Sequence, residues 1–336
     1  MGEMAITARP LGATGLTVTR MGIGMAALGR PGYINLNHAT DLGRDYAVDE
    51  MREHAWSVLD AAWAAGIRYY DAARSYGRSE EFLGAWLRAR GNRPDDLVVG
   101  SKWGYTYTAG WKVEASQHEV KDHTLPVLQR QWQESRNALG RYLKLYQVHS
   151  ATFDSGVLTN AEVLRELVHL KMEGVVIGLT LSGVAQGATL RSAMNIVVDG
   201  VRVFDCVQAT WNLLEQSAGA ALAEAHAAGM GVLVKEALAN GRLTLRNHEP
   251  AFVEQRNLLV QEASKLNTTV DGLALAAVLA QPWADIVLSG AATVDQLYSN
   301  VRAFEYPVDA AAAAALAPLV ETPQVYWATR AALAWN

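Results

Sequence analysis

Eight short apolar runs recur along this chain of 336 residues, and the stretches between them carry helical periodicity. The runs are "RMGIGMA" (20–26), "IRYYDA" (67–72), "DLVVGSK" (96–102), "KLYQVHS" (144–150), "GVVIGLTL" (174–181), "DCVQATW" (205–211), "GVLVKEA" (231–237) and "DIVLSGA" (285–291). Most are continuously apolar rather than alternating, as expected of parallel strands buried on both faces. Helices are predicted over 51–65, 79–90, 124–140, 160–173, 217–228, 254–265, 268–280 and 293–304. Residues 51–65 repeat Met51, Ala55, Val58, Leu59 and Ala62 on one side and stop at Gly66. Ser79 opens the next helix with Glu80 and Glu81 in its first turn, where the helix dipole favours anions.

Eight strand–helix units with right-handed crossovers close into a (β/α)8 TIM barrel. An N-terminal β-hairpin is predicted over about 9–19, the barrel over 20–305 and a C-terminal helical segment over 306–336, all within one domain, 1–336. An open doubly wound sheet is the competitor. "GIGMAA" at 22–27 fits a dinucleotide-binding fingerprint, but "LGRPGYINLNHATDLG" follows it rather than a helix N-terminus, so the fingerprint fails its context test. Two connections are long, 27–50 and 103–123. Both lie at the C-terminal face, where barrel enzymes carry their active sites.

That face collects polar residues. Asp71 ends the second run and Tyr76 follows on its loop. Lys102 ends the third and His149 the fourth. Ser182 follows the fifth, Gln208 lies in the sixth, Lys235 and Glu236 end the seventh, and Ser289 with Gly290 ends the eighth. Any one of these alone is as well explained by a satisfied structural pair. Several at successive junctions of one face converge on one cavity. Their chemistry is coherent. A phenol titrates near 10, too high for easy proton exchange at neutrality. Lys102 is expected to lower the Tyr76 pKa, Asp71 to hold that lysine, and His149 to donate a hydrogen bond to a substrate oxygen. Carbonyl reduction needs such a set.

"YYDAARSYGRSEEFLG" resembles the signature of the aldo-keto reductase family, and Asp71, Tyr76, Lys102 and His149 match its catalytic tetrad in order. "LGATGLTVTRMGIGMAALG" resembles the family's hairpin and first strand, and "LSGAATVDQLYSN" its cofactor-binding end; the match covers roughly residues 9–305. The resemblance implies the same barrel and an NAD(P)-dependent oxidoreductase acting on an aldehyde, ketone or aldose, with Tyr76 as general acid/base. It implies that Ser182 and Gln208 bind the nicotinamide carboxamide, that Asn300 contacts the adenine, and that 289–297 wrap the adenosine phosphate end. Leu238 and Gly241 keep the pattern of the loop after strand seven. Gly290, Ala292 and Gln296 belong to the phosphate end, with free backbone N–H groups expected over 290–292.

Two departures stand out. The family usually stacks a tyrosine on the nicotinamide after strand seven; here Lys235 stands there, its stem replacing the ring or its charge paired by Glu236 or by cofactor phosphates. Members that take the phosphorylated cofactor usually carry Arg or Lys near 290–296. This chain has Asp295 and Gln296, and Arg302 lies further along. NADP(H) and NAD(H) both stay open, with a lean to NAD(H) or dual use.

Tyr33, Trp103 and Tyr105 are candidate substrate-pocket aromatics, against the plainer alternative that they pack loops on the barrel. His54, His118, His123, His169, His226 and His248 lack ligand spacing and are read as surface or loop residues, with no metal site. Cys206 is read as a small buried side chain. The net charge of −5 argues against nucleic acid. No secretory leader or membrane span is visible, which gives the expectation of a cytoplasmic protein acting on small molecules. A nucleotide-binding accessory or redox-sensing barrel with little turnover is the second reading.

Overall fold

A computed structural model describes residues 6–336; the part of the leader reading that rests on 1–5 lies outside them. Eight parallel strands close on themselves in chain order. They are β1 (Met21–Gly24), β2 (Tyr69–Asp71), β3 (Val98–Trp103), β4 (Leu143–Ala151), β5 (Val176–Leu181), β6 (Cys206–Thr210), β7 (Gly231–Lys235) and β8 (Ile286–Ser289). Each falls on one of the eight apolar runs. The last link is β8 to β1, Val287 opposite Met21 and Ser289 opposite Ile23.

The helices outside are α1 (Val48–Ala64), α2 (Ser79–Ala89), α3 (Leu125–Leu139), α4 (Ala161–Met172), α5 (Gln186–Met194), α6 (Gly219–Ala227), α7 (Val253–Lys265), α8 (Val270–Leu279) and α9 (Val294–Val301). Helix α5 escaped the sequence reading. Its "QGATLRSAM" has a glycine in the first turn and little amphipathicity. Tertiary contact makes it a helix: buried Gln186 donates to Thr210 O (2.9 Å) and accepts from Thr210 N (3.2 Å), capping the end of β6.

The hairpin, Ala8–Pro10 paired with Thr17–Thr19, closes the N-terminal end of the barrel. Its Leu11 and Val18 join Tyr69, Val98, Leu145, Cys206, Leu233 and Ile286 in one buried cluster. The lumen below the site is thus packed apolar matter, and Cys206 belongs to it.

The two long connections become structure at the opposite, C-terminal face. After β3, Tyr105–Tyr107 pairs antiparallel with Glu119–Lys121. After β1, the chain makes one helical turn, His38–Asp41, and is stitched to two partners. Leu36 N donates to Asn240 O (3.1 Å), and Tyr33 exchanges backbone hydrogen bonds with Asn336 (3.1 and 3.2 Å). The C-terminal segment forms α10 (Ala310–Leu316) and α11 (Pro323–Ala331). Among the described residues, no helix is long and apolar enough to cross a membrane.

Candidate active site

Tyr76 is placed by its neighbours' lack of side chains. A Cβ on Gly29 would meet Tyr76 O at 2.3 Å, and one on Gly77 (φ +59°) would meet Gly29 O at 2.4 Å. The loop after β2 therefore lies directly on the loop after β1, locked by Arg78 N to Gly29 O (2.7 Å). Buried Glu80 fixes the other side. It accepts from Ser101 Oγ (2.5 Å), Ser135 Oγ (2.6 Å) and Arg74 Nη1 (2.5 Å). One carboxylate thereby ties α2, β3, α3 and the Tyr76 loop together, a structural role in addition to the dipole expected from its place in the helix.

Asp71 is 2% exposed and crowded with donors. Lys102 Nζ donates to it at close range and also to Ala72 O (2.9 Å); Tyr69 OH and Gln208 Nε2 each donate at 3.1 Å. The Lys102 ammonium lies 4.7 Å from the Tyr76 ring centroid. The His149 ring stands edge-on to Tyr76, centroids 5.5 Å apart, and its Nδ1 meets Ser75 Oγ at 3.3 Å. Ser75 was missed in the sequence, being an unremarkable loop serine until the fold places it.

The electrostatics correct one expectation. Burial, then the Asp71 charge, push the Tyr76 phenol above its ordinary range, and the cation that opposes this is Arg30. Lys102, expected to lower it, is paired with Asp71, whose charge raises it. Arg30 is 3% exposed. Its guanidinium lies 5.4 Å from the Tyr76 ring, 5.3 Å from Tyr33 and 4.7 Å from Trp335, and it pairs with Glu119 at 3.1 Å. Burial and the cations Lys102, Lys235 and Arg30 drive His149 well below the usual histidine range, so the ring is neutral.

All this faces one elongated cavity of about 910 Å³. Asp71, Tyr76 and His149 line one end, with Tyr33, Tyr105, Ser182, Gln208 and Lys235 around them; Leu238, Gly241, Gly290, Gln296 and Asn300 line the rest. Four expected positions differ. Lys102 is 0% exposed and sits beneath the cavity, behind Asp71. Trp103 is likewise fully buried, edge-on to His123 (5.5 Å), so it packs the loop rather than meeting substrate. Ala292 is also buried, its carbonyl held by His54 Nε2 and its N–H by Gln296 Oε1 (2.9 Å). The expected free N–H donors are thus partly used, since Ala291 N also turns to Ser289 Oγ (3.3 Å). His123, read as a surface or loop residue, is 7% exposed, and burial lowers it to about 4; its Nε2 lies 3.0 Å from His149 O.

Several lining residues carried no sequence signal: Arg30, Glu119, Asn240, Arg246, Trp327 and Arg330. Each sits on a loop, in the short strand pair after β3 or on a distant helix. Periodicity says nothing about where such residues end up.

A model of the aldo/keto reductase family matches residues 20–321, most of the chain. The chain belongs to the aldo/keto reductase family. It is 25% identical to pyridoxal 4-dehydrogenase of Microbacterium luteolum over 89% of this chain and 93% of that one. With D-threo-aldose 1-dehydrogenase of a Pseudomonas species, the identity is 29% over 74% and 73% of the two chains. Among solved structures, the holo form of an aldo-keto reductase from Bacillus halodurans superposes with a TM-score of 0.73 at 22% identity, covering 94% of this chain and 97% of that one. Membership makes this aldo/keto reductase an NAD(P)-dependent oxidoreductase that interconverts a carbonyl and an alcohol.

The cavity fits a dinucleotide on this chain's own features. A Cβ added at Gly183 or at Gly290, both in the lining, would meet no atom within 4 Å, so both glycines leave open space beside a ligand. Asn240 also lines the cavity, and its buried Oδ1 has no hydrogen-bond partner among the described residues.

Proposed function

We propose that this protein reduces an aldehyde, ketone or aldose, with Tyr76 as the proton donor and NAD(H) as the preferred cofactor. The observation that carries the reading is Tyr76 and His149 edge-on to each other at the cavity wall, over the buried Lys102–Asp71 pair.

The bound nicotinamide supplies the hydride. The chain does the rest. His149, neutral, donates one N–H to the carbonyl oxygen, and the Tyr76 hydroxyl donates a second hydrogen bond to the same atom. As negative charge gathers on that oxygen, Tyr76 yields its proton. A phenol held above its ordinary range keeps that proton until a stronger base, the forming alkoxide, calls for it. The same shift makes the reverse reaction harder, since alcohol oxidation asks for the phenolate. Ser182 and Gln208, both in the cavity lining, would bind the carboxamide; Gln208 already gives one N–H to Asp71. Leu238, Gly241, Gly290, Gln296 and Asn300 would hold the adenosine end.

The cofactor reading rests on the far end of the cavity, where Asp271 and Asp295 contribute carboxylates. One cation lies there, Arg246, and Asp41 takes it in a two-pronged pair at 2.6 and 2.7 Å. Arg302 turns to Glu305 (3.2 Å) and Tyr306 instead. A 2′-phosphate would find no free guanidinium. Titration of the protein with NADH and NADPH, followed by addition of a carbonyl panel with each, tests both parts. Tighter NADH binding with turnover supports the reading. Binding without turnover across the panel would favour the accessory, nucleotide-binding role.

A further inference from the structure

The charged groups around Tyr76 do not all cancel. Lys102 is matched by Asp71, and Arg30 by Glu119. Lys235, Glu236 and Arg330 form a third group, two cations on one carboxylate. Arg330 reaches in from α11 and gives Nε (3.0 Å) and Nη2 (2.5 Å) to Glu236. That pairing, with Lys235 and a hydrogen bond from Thr210 Oγ1 (3.1 Å), holds Glu236 at about 2 despite its burial. Lys235 is left with the weaker share. Its Nζ donates to Thr210 Oγ1 at 2.8 Å, while Glu236 Oε1 stands 3.8 Å off. The ammonium has three N–H groups and only one close acceptor. Glu236 is the carboxylate that acts on both cations; Tyr33 and Tyr326, both neutral, also face Arg330, and Arg330 and Lys102 act on Lys235. Burial lowers Lys235 to about 8, so it is still charged at neutral pH.

These three groups therefore leave one net positive charge on the cavity wall, within the field of the reacting groups: Lys235 acts on His149, and Glu236 on Tyr76. Lys121 also lines this end, but it is exposed, so water solvates it. In a poorly hydrated cavity a buried charge is costly unless an anion meets it. The under-paired cation shielded from water is Lys235, and a single carboxylate would match it.

We propose that the substrate is a carbonyl compound bearing a carboxylate, and that Lys235 is the residue that selects it. The inference rests on the carbonyl-reducing reading above and narrows its substrate class. The aromatic faces of Tyr33, Tyr105 and Trp327, which also line this end, suit a flat or short spacer between the two groups.

The test compares matched acids and neutral analogues: 4-formylbenzoate against methyl 4-formylbenzoate, and succinic semialdehyde against butanal. The expected result is a kcat/KM ratio of about tenfold or more in favour of the acid in at least one pair. Lys235→Met should bring that ratio to about one, and Lys235→Arg should keep it well above one. The ratio is the readout, because a merely structural lysine would alter both members of a pair alike. Turnover of both members at a ratio of one or below overturns the anionic substrate and leaves carbonyl reduction standing. Turnover of neither, with cofactor bound, overturns the carbonyl-reducing reading itself. If Lys235→Met weakens NADH binding while the acid-to-ester ratio persists, the charge serves the cofactor's diphosphate, and the proposal falls.

Discussion

The two ends of the cavity are built on different principles. At the Tyr76 end, the groups stand on the ends of β2, β3, β4 and β7, and the barrel fixes their spacing. Asp71 and Lys102 are adjacent because β2 and β3 are hydrogen-bonded neighbours, Asp71 opposite Gly100. At the far end, the lining comes from the loop after β7, residues 34–36 of the insertion after β1, the start of α8, and the segment from β8 into α9. What holds it are loop-to-loop contacts such as Arg246 with Asp41 and Leu36 with Asn240. The first end is rigid and dense in buried charge. The second is a set of straps, whose chemistry turns on which strap residue takes which partner. On the function proposed above, proton transfer belongs to the strand ends and cofactor choice to the loops.

The largest expected effect breaks the rigid end. Tyr76→Phe should lower kcat by about 10²–10⁴-fold while NADH affinity, read by fluorescence titration, is retained; unchanged turnover would remove Tyr76 from the mechanism. Lys102→Met comes next. It strands the buried Asp71 carboxylate and should cost about 3–5 kcal/mol of stability, measured by urea unfolding. The double variant Asp71→Asn, Lys102→Met should recover part of that loss, because no uncompensated charge remains. A single variant as stable as the parent would mean that the pair is not holding the site.

Asp41→Ala addresses the strapped end. It frees Arg246 without touching the tetrad. The ratio of NADPH to NADH dissociation constants should move towards NADPH by about tenfold, roughly 1.4 kcal/mol, with kcat for reduction little changed. An unmoved ratio would place the adenosine end elsewhere.

The smallest effect concerns pH and separates activity from stability. Because His149 is held neutral, kcat/KM for an uncharged aldehyde should show no inflection near 6.5, its ordinary value. Stability should nevertheless fall as pH drops below that point. His38 and His123 are both lowered to about 4 by burial. The unfolded chain takes up their protons from about 6.5 downwards while the folded chain refuses them, so the loss runs from there to about 4. A urea midpoint that stays flat between pH 7 and pH 4 would contradict the buried, neutral imidazoles.

These contrasts also mark what could be read from the chain itself. The eight apolar runs gave the eight barrel strands because a strand buried on both faces has to be apolar throughout, and that demand is local. A polar residue at the end of such a run stands out against it, so Asp71, Lys102 and His149 were visible, and Tyr76 with them through the adjoining signature. Helix α5 was hidden, since its stability comes from Gln186 meeting β6 rather than from its own periodicity. Trp103 and Tyr105 look alike in sequence, two residues apart; the fold buries the one at the end of β3 and turns the other to the cavity. Arg30, Arg246 and Arg330 belong to no motif or periodic pattern. Their roles depend on Glu119, Asp41 and Glu236, which lie 89, 205 and 94 positions away along the chain. The sequence by itself determined the barrel and the strand-borne chemistry, because burial and hydrogen bonding constrain each strand where it stands. The tertiary structure alone decided which charges cancel, and so where one is left over, because pairing depends on distance in space and the sequence records only distance along the chain.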